Sequence, residues 1–136
     1  MVLDTFTWRI THFSLLEKVK FYHSDEFPVG GSLWKLQIGP GGDGDGWGSS
    51  LAVYLSLSDA TKPATFTRAK LRVLNQTNHS KNLQRQLNHW FGSSDPTLGF
   101  QKFMPLKDLS QDASSSGYLV NDTLVLQAEF EEIRKT

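Results

Sequence analysis

The sequence contains no cysteine. Disulfide frameworks, thiolate zinc sites and cysteine nucleophiles are therefore excluded. Neither charge is in excess: 14 basic and 14 acidic residues give a formal net charge of zero. Polyanion binding draws on a basic excess or a basic stripe. The densest basic stretch, Arg68, Lys70 and Arg72, is short, so nucleic acid is not an expected partner. No apolar run approaches the roughly 20 residues that span a bilayer, and no membrane partner is expected. No self-similarity recurs at the roughly 20–50-residue spacing of repeat proteins. Met1 to Asp4 leads almost directly into a strand pattern. That leaves no recognisable signal peptide and points to the cytoplasm or nucleus. In such a compartment the sequons at Asn75, Asn78 and Asn121 read as chance matches, not glycosylation sites.

Against these absences stands a rich apolar inventory. Nine Phe and four Trp among 136 residues can fill a sizeable core, and that length suits one domain that folds without staples. We read a single domain over residues 1–136 with its core at about 5–131. The apolar residues recur with period two. Phe6, Trp8 and Ile10 alternate with threonines and Arg9, and Trp34, Leu36 and Ile38 with Leu33, Lys35 and Gln37. Leu51, Val53, Leu55 and Leu57 alternate with Ala52, Tyr54, Ser56 and Ser58. Ala69, Leu71 and Val73 form a further run, and Leu124, Leu126, Ala128 and Phe130 the last. Successive strand residues face opposite ways, so each run has one apolar and one wetter face. Antiparallel sheets packed on one side have this signature. Turn chemistry separates the runs at Gly30-Gly31, residues 39–48, Asp59 to Pro63, Asp95-Pro96, Ser114 to Gly117 and Asn121-Asp122. The fold class is therefore an all-β sandwich or barrel. Phe13 to Leu16 and Leu106 to Leu109 each suggest one helical turn. Lys81 to Phe91 fits two periods: Leu83, Leu87 and Trp90 as a helix face, or Leu87, His89 and Phe91 as a strand face. Trp8 and Trp34 fall on apolar faces and are expected in the core.

Catalytic patterns do not emerge. Gly39, Gly41 and Gly44 match G-x-G-x-x-G, but the segment runs into a strand and offers no helix N-terminus to a phosphate. Asp43 and Asp45 resemble the start of a calcium loop, yet its twelfth position is Tyr54 where a bidentate glutamate is needed. Residues 39–48 thus read as a flexible connection. The four histidines lie on separate segments without ligand spacing, and no serine sits in a nucleophile elbow. No enzyme activity, metal or cofactor is expected.

Taken in order, several segments resemble the MATH (meprin and TRAF homology) family. They are Phe6-Thr7-Trp8-Arg9-Ile10 with His12-Phe13-Ser14, then Tyr22 to Phe27 with Gly30-Gly31 and Trp34-Lys35-Leu36. Leu51 to Leu57, Leu74-Asn75-Gln76, Gly99-Phe100 with Phe103, and Gly117 to Thr123 complete the set. Each is weak alone, but their order and spacing over about residues 5 to 130 are specific. The resemblance implies an eight-stranded antiparallel β-sandwich of the TRAF C-terminal type. It also implies a shallow groove for short extended peptides beside an edge strand, a mode in which main-chain hydrogen bonds give affinity and side-chain pockets give specificity.

Carried over by position, the groove comprises Tyr54, Phe100, Leu98 in place of a family tryptophan, and Gln101 in place of a lysine. His89 stands near a groove tyrosine, and Ala69 near a groove phenylalanine. Lys70, with Arg68 and Arg72, projects from one strand face and is a candidate for acidic residues of a partner. The departures at 69, 98 and 101 remove aromatic area and positive charge, so the peptide preferred by other members is not inherited. The expected function is a client-binding module for ubiquitin-related or signalling machinery, monomeric or weakly associated. The alternatives are TRAF-like self-assembly, although no heptads precede Thr5, and a carbohydrate-binding sandwich using Trp47 and the Asn/Asp-rich turns.

Overall fold

In the computed structural model, residues 2–59, 64–109 and 116–135 are described. Residues 60–63 and 114–115 of the turns assigned above lie outside them. Ten strands occur among the described residues: β1 (Asp4–Ile10), β2 (Tyr22–His23), β3 (Phe27–Val29), β4 (Ser32–Gly39), β5 (Ser50–Leu57), β6 (Thr65–Val73), β7 (Leu83–Phe91), β8 (Thr97–Pro105), β9 (Leu119–Val120) and β10 (Thr123–Lys135). All pairings are antiparallel. One sheet runs β1-β10-β6-β7 and the other β2-β4-β5-β8. The two-residue strands fill gaps in these rows. Both β2 and β3 pair with β4, so they are one interrupted edge. Leu124 pairs with Ile10 on one side and Leu119 on the other, which puts β9 in line with β6. Counted by row, the sandwich is eight-stranded, four against four, as the resemblance implies.

The core lies where the two apolar faces meet. Trp34, Leu36, Ile38, Leu51, Val53 and Leu55 face Leu71, Val73, Leu124, Leu126, Ala128 and Phe130, and all are fully buried. Trp34 bridges the sheets, with its indole 5.2 Å from the Phe91 ring and 5.1 Å from Phe130. Its Nε1–H donates to the Val29 carbonyl at 3.0 Å, so burying the indole leaves no unmet donor. Trp8 is only half-buried, because β1 is an edge strand and covers the core from its margin.

Turn chemistry fixes the register. Val29 pairs with Ser32 across Gly30-Gly31, whose φ values are 63° and 78°. Val120 pairs with Thr123 across Asn121-Asp122, at 52° and 55°. Both are two-residue hairpins with positive φ at both central positions, the turn whose twist matches the flanking strands. Phe13–Leu15 and Leu106–Leu109 are short 3-10 turns, as expected. The Asp122 carboxylate ties the first of these down by accepting from the Ser14 backbone at 3.0 Å and its hydroxyl at 2.7 Å.

The ambiguous segment is a strand. Leu87 and Phe91 are buried while Trp90 is exposed, which rules out the helix face of Leu83, Leu87 and Trp90. Residues 39–48 are not the flexible connection expected from their composition. A Cβ on Gly41 would lie 2.4 Å from the Lys18 carbonyl oxygen, and one on Gly46 2.1 Å from that of Gln101. The glycines are there for close packing, and the loop is closed on itself by the Gly48 N–H to the Gly41 carbonyl and the Gly46 N–H to that of Asp43.

Candidate functional site

One edge of the second sheet is β8, which among the described strands pairs with β5 alone. Along that edge lies an open groove of about 520 Å³, lined by Tyr54, Arg85 and residues 97–102. Its shape follows from the alternation of β8. Gly99 pairs with Tyr54, while Leu98 and Phe100 pair with Leu55 and Val53. Paired residues share a face, so Leu98 and Phe100 turn toward the core at the open margin and stay half-buried. Gly99 lies under the Tyr54 ring; a Cβ there would come within 2.7 Å of its Cδ1 and 2.1 Å of the Val53 carbonyl oxygen. The irregularity that follows, between Leu51 and Val53, opens the strand at Gln101 and Lys102, which are exposed.

Tyr54 is not a loose surface aromatic. Its hydroxyl donates to Asp43 Oδ2 at 2.6 Å, and its ring meets Phe21 edge-on at 6.5 Å. Burial, with the Asp43 carboxylate beside it, holds the phenol protonated above its ordinary range. The 39–48 loop thus braces one wall of the groove, and it touches the groove again where the Asp45 N–H donates to Gln101 Oε1 at 3.3 Å.

The residue missed from the sequence is Arg85. It reaches across from β7, in the other sheet, and donates from Nε and Nη2 to the Phe103 carbonyl at 3.3 and 3.2 Å. Its guanidinium carbon stands 5.9 Å from the Phe100 ring centroid and 5.7 Å from that of Phe103. A signal was available only once Lys81 to Phe91 is a strand, because Arg85 then shares a face with Leu83 and Leu87 at the sandwich rim.

Tyr54, Leu98, Phe100 and Gln101 therefore come together; His89 and Lys70 do not join them. His89 lies inward on β7, its ring 4.6 Å from that of Phe91 and its Nε2 3.2 Å from Asp95 Oδ2, beneath the turn that leads into β8. Lys70 lies on the outer face of the first sheet, with Nζ 3.6 Å from Glu131 Oε2. Its neighbours are also paired, Arg68 with Glu132 at 3.2 Å and Arg72 with Glu129 at 3.3 Å. The basic stripe is thus neutralised by the last strand. Ala69 is core. Among the described residues no three His, Asp or Glu side chains gather as a metal site would require. Asp43, which would head a calcium loop, is engaged by Tyr54. No helix among the described residues is long and apolar enough to cross a membrane.

Comparison with known proteins settles the family. The model of the MATH domain matches residues 5–130. The chain belongs to the MATH domain family. This MATH domain is 36% identical over 128 residues to ubiquitin C-terminal hydrolase 13 of Arabidopsis thaliana, covering 91% of the chain and 11% of the hydrolase. It is 33% identical over 134 residues to the MATH domain and coiled-coil domain-containing protein At3g58370 of the same plant, covering 96% of the chain and 40% of that protein. The chain therefore spans well under half the length of these relatives. The sandwich superposes on Notothenia coriiceps TRAF5 with a TM-score of 0.76 at 18% identity, over 97% of this chain and 75% of the other, a likeness of fold. MATH domains are protein-interaction modules.

Proposed function

We propose that this MATH domain binds a short extended segment of a client protein along β8 and thereby recruits the client to ubiquitin-related machinery. One observation carries the reading: four positions singled out by resemblance, Tyr54, Leu98, Phe100 and Gln101, converge on one groove beside an unpaired strand edge. An edge of that kind exposes main-chain donors and acceptors in strand register, which an extended peptide can match, while the half-buried Leu98 and Phe100 take side chains. The ubiquitin link is supported by two similar proteins named ubiquitin C-terminal hydrolases, 12 and 13. The module acts as a monomer or weak oligomer in the cytoplasm or nucleus, with 1–136 as one unit.

Amide shifts of the labelled domain, titrated with pools of unstructured peptides, test the reading. Shifts confined to Tyr54, Leu98, Phe100 and Gln101 support it. Peptides that move other surfaces, or a domain that binds none and self-associates, would transfer the function to assembly. Such assembly has its own support in relatives named for coiled coils.

A further inference from the structure

We propose that the groove selects a peptide carrying a glutamate or aspartate, whose carboxylate is held by Arg85. The inference rests on the peptide-binding reading above and adds the chemistry of the ligand.

Arg85 is one of several cations that meet no carboxylate among the described residues, and the one that the groove sets between two aromatic rings. Arg68, Lys70, Arg72 and Arg134 each meet a glutamate of β10. Arg85 and Lys102, both lining the groove, meet no carboxylate among the described residues. The lining itself carries no acid. Asp43 approaches only through the Tyr54 hydroxyl, and Asp45 only through its backbone N–H to Gln101. The groove is thus a cationic site in a chain of zero net charge.

Arg85 is also positioned to receive an anion. Its Nε and Nη2 are used on the Phe103 carbonyl, and two rings lie beside its guanidinium. Those contacts fix the plane of the fork. Of the five guanidinium hydrogens, both on Nη1 and one on Nη2 remain, and these form the end that pairs with a carboxylate through two parallel hydrogen bonds. A fork held before the ligand arrives loses little side-chain entropy on binding. The acceptor on the ligand is a side chain, because the main chain of an extended peptide is occupied along β8.

The test uses the whole 136-residue domain and short peptide pools, randomised except for one fixed residue: Glu, Gln, phosphoserine or Lys. We expect the Glu pool to bind about tenfold more tightly than the Gln pool, the ratio of one charge-assisted pair, with shifts at Leu98 and Phe100. The ratio falls to about one in Arg85→Gln and is only partly kept in Arg85→Lys, which preserves the charge without the two-pronged fork and guards against loss of fold. Equal binding of the Glu and Gln pools within the groove overturns the carboxylate assignment and leaves the groove standing. So does a Glu preference that survives Arg85→Gln. If only the phosphoserine pool binds, the subsite belongs to phosphate and the assignment fails. If no pool moves the groove amides, the peptide-binding reading itself fails.

Discussion

At the scale of single residues, Tyr54 and Asp43 show how a position legible in sequence depends on a partner that is not. The alternation of β5 places Tyr54 opposite its leucines, and that much can be read from the sequence. Asp43 is nearby in sequence but inside a glycine-rich run, where composition suggests only looseness, and its hydrogen bond to Tyr54 exists because the loop folds back. Arg85 and the Arg68–Lys70–Arg72 stripe teach the same lesson with opposite sign. A cation's availability depends on which acids the sheet brings beside it, and cross-strand register is not local information. Removing the phenol hydroxyl tests the brace. Tyr54→Phe should cost about 1 kcal/mol at neutral pH. Its pH dependence is the sharper readout. The folded state raises the pKa of Tyr54 above the ordinary 10.0, through burial first and Asp43 second. The stability this contributes is complete below that ordinary value and is lost as pH rises past it toward the folded pKa. Urea midpoints between pH 8 and about 11 should fall in the wild type more steeply than in Tyr54→Phe. Parallel curves would mean the hydroxyl is not the titrating brace.

At the scale of elements, strands with one dry face were readable and those at the margin were not. Strands β4, β5, β6 and β10 announce themselves because leucines, valines and isoleucines alternate with polar residues. β7 does not, because it borders the open side of the sandwich and buries only Leu87 and Phe91 outright. Too few positions are constrained to separate period two from 3.6. Ala52 and Ser56 of β5 are buried on the supposedly wet face. Gly39 stands between Phe21 and Ala52 there, and Ser56 and Thr97 share a 2.8 Å hydrogen bond. Such covering, by Phe21 and by the neighbouring strand β8, is invisible to a periodicity argument. The β5–β8 ladder is where fold and groove meet, and Gly99 is its closest contact. Adding one methyl in Gly99→Ala forces a Cβ to within 2.1 Å of the Val53 carbonyl oxygen and 2.6 Å of Tyr54 Cα, backbone atoms that cannot rotate aside. Overpacking of this kind costs about 1–3 kcal/mol. We expect a lower urea midpoint together with exchange broadening confined to β5 and β8. A variant with wild-type stability and an undisturbed β8 would show that the ladder relaxes there.

At the scale of the molecule, the sandwich separates what holds it together from what it displays. Its centre is Trp34, which joins Phe91 and Phe130 across the sheets and satisfies its own donor on Val29. Its groove is at the margin, where Arg85 is exposed and takes part in no packed layer. If the β-sandwich is a scaffold and the β8 margin a graft upon it, perturbations should sort cleanly. Trp34→Phe removes the indole hydrogen bond to Val29 and leaves a void between the rings, which together cost about 2–4 kcal/mol. The folded fraction should nevertheless bind acidic peptides within about twofold of wild type, since no groove residue moves. Arg85→Gln should do the reverse, changing the urea midpoint by less than about 1 kcal/mol while abolishing the preference for acidic peptides. The pair of variants makes a double-mutant cycle, and their effects should add, because one acts through the core and the other through a rim cation. A coupling well above about 0.5 kcal/mol would mean that the core sets the groove's shape, and that client preference in this MATH domain is written as much in Trp34 and its ring partners as in the residues that touch the peptide.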